Sequence, residues 1–161
     1  MLAKTTAAPK LKNSNIKQLS ILLAGLYTIY AVTQLFSFED FVVLTGSFNL
    51  FDSSVLSTVL ASLIVVFEVF ALPYLLRIRV SALMRVFSMV CSWMVALLWL
   101  TISLWLILTV NAVPSLGLFG GLLDIEPGWW AVFFSLSLII LNIWIAWGMW
   151  PITSRKKKHI A

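Results

Sequence analysis

Four long apolar runs, at residues 19–36, 55–76, 80–110 and 129–150, take up most of this chain, and its charge is confined almost entirely to the gaps around them. That division constrains the fold more than any motif. At about 1.5 Å of rise per residue, roughly twenty apolar residues cross the hydrocarbon of a bilayer as a helix, so every run is long enough to span it. The third is overlong and is expected to tilt or to project.

The gaps also alternate in sign. All 11 basic residues fall beside three points that such a path puts on one side of the membrane. Lys4, Lys10, Lys12 and Lys17 precede the first run, Arg77, Arg79 and Arg85 surround the second junction, and Arg155, Lys156, Lys157 and Lys158 follow the fourth run. The other two junctions contain no Lys or Arg and hold Glu39, Asp40, Asp52, Asp124 and Glu126, which leaves Glu68 alone inside an apolar run. Because basic loops stay on the cytoplasmic side, both termini are expected there. The expected fold class is therefore all-α, an integral membrane four-helix bundle in a bacterial inner (cytoplasmic) membrane. It comprises a basic lead at 1–18, a membrane domain at 19–150 and a basic tail at 151–161, with little structure before about Asn13. The run at 19–36 is long for a signal-peptide core and lacks a small-x-small cleavage site, so it is expected to be retained.

Composition excludes several function classes. A chain that is 61% hydrophobic and 11% charged, with a mean hydropathy of +1.04, would expose large apolar patches as a soluble fold. The formal charge of +5 suggests nucleic acid at first sight, but the basic residues sit at span ends, where anionic headgroups attract them; no nucleic-acid partner is expected. Cys91 is the single cysteine and His159 the single histidine, so neither an intrachain disulfide nor a multi-cysteine metal site is available, and no metal is expected. Hydrolase-like patterns and Gly-rich phosphate loops are absent from the sequence.

The connections carry their own signals. Between the first two runs, Phe38, Phe41, Val42, Val43, Leu44 and Phe48 alternate with Glu39, Asp40 and Asn49, which predicts a short amphipathic piece on the outer face, with Gly46 limiting its length. Only Arg77 to Arg79 separate the second and third runs, which demands a tight antiparallel hairpin. Pro114, Gly117, Gly120, Gly121, Pro127 and Gly128 mark the last connection as a loop. Trp129 and Trp130 suit one membrane interface and Trp150 the other. Trp144, Trp147 and Trp150 share a helical face that can meet lipid or a partner protein. Trp93, Trp99 and Trp105 recur along the third run without a meaningful period.

Glu68 is the most informative side chain, because an ionisable group inside a span is costly and turns to the bundle interior or to a water-filled cavity. It needs a partner or a proton. It lies about nine residues, roughly 13 Å, from the cytoplasmic end of its run. Equal depth on the other runs falls near Leu26 to Thr28, Ser88 to Ser92 and Leu141 to Asn142, which nominates Tyr27, Ser88 and Asn142 as hydrogen-bond partners, while Arg85, whose side chain can reach toward the same level, is the ion-pair candidate. Pro73, five residues on, removes a backbone donor and is expected to bend the helix and expose carbonyls near the acid. Three roles are open for Glu68. It locks helix register, it exchanges a proton or recognises a cation or a quinone-like headgroup, or it pairs with another membrane subunit.

Taken together, FSFEDF at 36–41, the acid in VVFEVFALPYLL at 65–76, the basic RIRVSALMR at 77–85 and LGLFG at 116–120 ahead of Trp129 and Trp130 resemble the DoxX/MauE group of small four-span membrane proteins, over about residues 21–150. The MauE branch of that group is associated with thiol and disulfide pathways and carries CGCFG where this chain has Leu116, Gly117, Leu118, Phe119 and Gly120. Leu116 and Leu118 stand where the paired cysteines would act, so the resemblance implies the scaffold, Glu68 and the loop-shaping residues, and no dithiol chemistry. The expectation is a noncatalytic accessory or scaffold subunit of a larger membrane complex, with a redox link left open, and with the bilayer and other subunits or further copies as partners. The alternatives are a small proton-coupled transporter using Glu68 and a quinone-associated oxidoreductase subunit; no cofactor beyond such a quinone is expected.

Overall fold

The computed structural model describes residues 14–50, 53–109, 113, 115–122 and 125–149. The expectations placed on Asp52, Pro114, Asp124, Trp150, the first 13 residues and the tail at 151–161 lie outside these. The described residues form five helices, α1 (Ser14–Phe36), α2 (Phe38–Ser47), α3 (Ser54–Leu75), α4 (Ala82–Leu108) and α5 (Trp129–Gly148), and contain no strand. All but α2 are long and apolar enough to cross a membrane, and the chain is a multi-pass membrane protein.

The long helices run alternately up and down. Packing joins α1 to α3, α3 to α4, α4 to α5 and α5 back to α1, which closes a four-helix ring. Its ends are identifiable from specific contacts. Ser20 near the start of α1 donates to the Leu75 carbonyl at the end of α3, and any Cβ at Gly148, the last residue of α5, would collide with Ile16. The described basic residues Lys17, Arg77, Arg79 and Arg85 cluster at this end, whereas Glu39, Asp40 and Glu126 are exposed at the other. These are called below the basic and the acidic end.

Each helix turns small residues and part of its large apolar ones inward and leaves other apolar side chains on its outer face. Leu23, Tyr27 and Tyr30 of α1 meet Ile64 and Val65 of α3, Val95 and Trp99 of α4, and Leu138 and Ile145 of α5 in one core. Buried Ala24, Ala61, Ala71, Ala96, Ala131 and Ala146 let the backbones approach closely, which is how helices gain packing where lipid removes the hydrophobic driving force. Outside, Ile29, Val32, Val59, Val66, Leu97, Phe133 and Ile140 are exposed. Water would penalise that perimeter by about 25 cal/mol per Å², whereas hydrocarbon does not.

The amphipathic segment forms as expected and ends at a turn. In α2, Phe41 and Leu44 are buried, as is Phe48 just beyond it, while Glu39, Asp40 and Val43 are exposed. Glu39 and Asp40 occupy its first turn, where carboxylates favour the positive helix end. Asn49, with φ 49°, reverses the chain toward α3. The α3–α4 hairpin is tight because Arg77 takes a left-handed conformation, φ 59°, with Ile78 N–H donating to the Pro73 carbonyl at 3.0 Å and Arg77 N–H to that of Tyr74 at 3.1 Å. This six-to-one and five-to-two pairing is a Schellman ending without the usual glycine. Ser81 then caps α4 by accepting from Met84 N–H.

Candidate functional site

Glu68 lies on the inner face of α3, 0% exposed, seven residues before the basic end of that helix at Leu75. Its Oε1 accepts from Gln34 Nε2 of α1 and from Trp99 Nε1 of α4, each at 3.4 Å. Both contacts are longer than a relaxed N–H···O bond of about 2.9–3.0 Å. Gln34, also 0% exposed, donates at 3.2 Å to the carbonyl of Leu118 in the α4–α5 connection. These two acceptors fix the orientation of its amide. The second oxygens of the two side chains, Gln34 Oε1 and Glu68 Oε2, are buried and receive no hydrogen bond from the protein.

These partners differ from those expected from depth. Tyr27, Ser88, Asn142 and Arg85 were nominated by matching Cα levels, but side chains on a helix lean toward its own N-terminus. Glu68 on α3 therefore leans toward the acidic end, while Gln34 on α1 and Trp99 on α4 lean toward the basic end, and the three meet between their Cα levels. Tyr27 and Asn142 do lie together, in a separate layer nearer the basic end. There Asn142 Nδ2 donates to Tyr27 Oη at 3.2 Å and to the Leu138 carbonyl at 2.9 Å. Ser92 Oγ donates to Asn142 Oδ1 at 2.5 Å, and Tyr27 Oη to the Ser92 carbonyl at 3.1 Å. This layer satisfies its polar groups internally.

Ser88 serves the backbone instead of the acid. Its Oγ accepts from Tyr74 N–H at 2.9 Å and donates to the Phe70 carbonyl at 2.6 Å, bridging a donor and acceptor that an undisturbed helix pairs directly. Of the carbonyls beside the Pro73 break, those of Phe70 and Ala71 thus have a partner from α4. Arg85, buried at 3% exposure, lies one turn nearer the basic end than Ser88, on the side away from which Glu68 leans.

The loop singled out by the resemblance is part of the Glu68 site. Leu116, Gly117, Leu118 and Gly120 are buried, and Phe119 meets Tyr30 edge to face with centroids 5.3 Å apart. Positive φ at Gly117 (80°) and Gly120 (64°) folds the segment back into the acidic end of the ring. Gly117 leaves no room for a Cβ against Leu44 and Phe41 of α2, nor Gly120 against Thr33 of α1 and Ser37 just beyond it. Gly121 N–H, in turn, is held by Ser37 Oγ at 3.1 Å.

Sequence reasoning missed Gln34 and Trp99. Gln34 carried a signal, being an amide inside an apolar run, but depth counting would not have joined it to Glu68, since Gln34 lies two residues from the acidic end of its run (36) and Glu68 13 residues from the acidic end of its own (55). Trp99 carried none, since a buried and a lipid-facing tryptophan read alike. The other tryptophans lie apart from the acid. Trp129, Trp130, Trp144 and Trp147 are exposed on α5, and Trp130 Nε1 donates to the Glu126 carbonyl at 2.9 Å. Among the described residues no group of three metal-ligating side chains occurs.

A scan against protein-family models finds no match to this chain, and neither curated proteins nor solved structures match it.

Proposed function

We propose that the chain is a DoxX/MauE-like accessory or scaffold subunit of a larger membrane complex, threaded with both termini in the cytoplasm and with α2 and the α4–α5 connection on the outer face. The observation that carries this reading is the state of the LGLFG segment. Leu116 and Leu118, at 1% and 4% exposure, are packed inward as core residues where the resembling proteins place reactive thiols. The segment wedges the ring, and the exposed tryptophans of α5 supply a face for a neighbouring subunit. Glu68, bonded to α1 and α4 at once, ties the helices in register.

The test is extraction in mild detergent through a tag on the C-terminal tail, followed by native mass analysis. A stoichiometric partner supports the accessory role. A clean monomer or homodimer rejects it.

A second reading, proton-coupled transport through Glu68, draws support from the two unpartnered acceptors Glu68 Oε2 and Gln34 Oε1. The same acceptors argue against an oxidised quinone in this place. Its carbonyl oxygens also accept, and the nearby donors, Trp99 Nε1 and Gln34 Nε2, are already engaged.

A further inference from the structure

Two fully buried acceptors on a pair of hydrogen-bonded side chains are costly, because each needs a hydrogen that the protein does not supply. The groups around them do not provide a compensating charge. On α1, Tyr27 and Tyr30 lie within electrostatic reach of Glu68, and on α4 Trp99 donates an indole N–H. On α5, Asn142 belongs to the satisfied layer below, and residues 115–122 contain no titratable side chain. Arg85 sits a turn beyond Ser88 toward the basic end, and among the described residues Asp40 and Glu39 of α2 and Glu126 are the charged groups at the acidic end.

The two ways out of this site are unequal. Toward the basic end stand the Tyr27–Ser92–Asn142 layer, then Leu23 and Ser88, then Leu75, all at or close to 0% exposure except Asn142 at 2%. Toward the acidic end a short stretch of chain leads from Leu118, bonded to Gln34 at the site, to exposed Gly121 and Leu122. That stretch is pinned to the end of α1 and to the α1–α2 junction by two hydrogen bonds, Gln34 Nε2 to the Leu118 carbonyl and Gly121 N–H to Ser37 Oγ, and it bends at Gly117 and Gly120. Its outer edge lies against a carboxylate side chain, since a Cβ on Gly121 would stand 2.7 Å from Asp40 Cβ.

We propose that Glu68 and Gln34 form a proton-binding site loaded from the acidic end, with residues 115–122 as its lid. This inference rests on the second reading above, that Glu68 exchanges protons, and adds the route and the gate. Release of the Leu118 carbonyl and of Gly121 N–H swings the stretch away from α1 and admits water. Hydronium then transfers a proton to Glu68 Oε2. The O–H bond that forms turns one of the two acceptors into a donor, and a water molecule leaves. Asp40 and Glu39 at the mouth concentrate cations there.

The full-length chain in phospholipid vesicles tests this, with Cys91→Ala as background and Asp40→Cys paired with Gly121→Cys. The 2.7 Å spacing is below the roughly 3.5–4.5 Å of a disulfide, and exposed Gly121 can yield the difference. Infrared spectroscopy follows exchange into heavy water at the Glu68 carboxyl band, identified as the band that Glu68→Gln removes. The lid predicts exchange about tenfold slower in the oxidised protein than in the same protein after reduction. In a separate variant, Ser37→Ala, which deletes the acceptor for Gly121 N–H, exchange should run about fivefold faster, the worth of one hydrogen bond. Equal rates in the oxidised and reduced forms, with Ser37→Ala unchanged, overturn the lid and leave proton exchange standing. A Glu68 band that never exchanges in the reduced form overturns both.

Discussion

The hydroxyl of Ser88 makes a prediction with a worked magnitude. It accepts from Tyr74 N–H and donates to the Phe70 carbonyl inside the apolar ring, just past the break caused by Pro73. Ser88→Ala leaves a buried donor and acceptor facing one another across a methyl group. Each orphaned group costs about 1–3 kcal/mol in a protein interior, whereas interhelical side-chain bonds in membranes average about 0.6 kcal/mol. The expected loss lies between these, at about 1–3 kcal/mol for the pair. The origin of the cost is checkable, because replacing Pro73 removes the ring that holds the turn open and lets the helix pair Tyr74 with Phe70 itself. In a Pro73→Ala background Ser88→Ala should therefore cost under about 0.5 kcal/mol, a coupling of about 1 kcal/mol or more. Reversible unfolding in mixed detergent micelles, followed by far-ultraviolet circular dichroism across the four proteins of the cycle, measures it. Additive losses, or no loss on Ser88→Ala alone, would refute the assignment of this hydroxyl to the helix backbone.

Other side chains give further expectations. Tyr27→Phe removes a hydroxyl that joins α1 to α4 and α5, and should cost about 1–2 kcal/mol in the same assay; a neutral result would dismiss the layer as a lock. Gly120→Ala places a Cβ 3.0 Å from the Thr33 carbonyl at φ 64°, so a loss of about 1–3 kcal/mol and a loosened 115–122 segment are expected, read as faster amide exchange at Gly121. Glu68→Gln keeps the shape of the side chain and should leave partner recovery unchanged for a scaffold, while proton-coupled efflux, if the chain carries it, should fall to background. Unaltered efflux would sink the transport reading.

How much of this was legible beforehand follows from what each residue's chemistry exposes. Apolar runs and charge placement are properties of the chain itself, so α1, α3, α4 and α5 could be placed within a few residues. Phe38 to Phe48 announced a short amphipathic helix because its apolar and acidic residues separate onto two faces. Glu68 stood out because charge in a lipid span is expensive wherever its neighbours lie. The identity of those neighbours depends on how antiparallel side chains lean and on a loop folding back into the ring, and neither leaves a local mark. Gln34 and Leu118 are 84 positions apart, and nothing in either one's surroundings names the other. Arg77 shows the same limit at the backbone, since it takes a left-handed turn that sequence rules reserve for glycine or asparagine.

The proposed threading, on which an outward-facing mouth above Glu68 depends, is tested most directly by cysteine accessibility in intact cells. Gly121→Cys and Arg79→Cys are placed singly in a Cys91→Ala background and treated with a membrane-impermeant maleimide. Labelling at position 121 without permeabilisation, and at position 79 only after it, is the predicted result. Labelling of position 79 from outside, with position 121 protected until the membrane is opened, would contradict it.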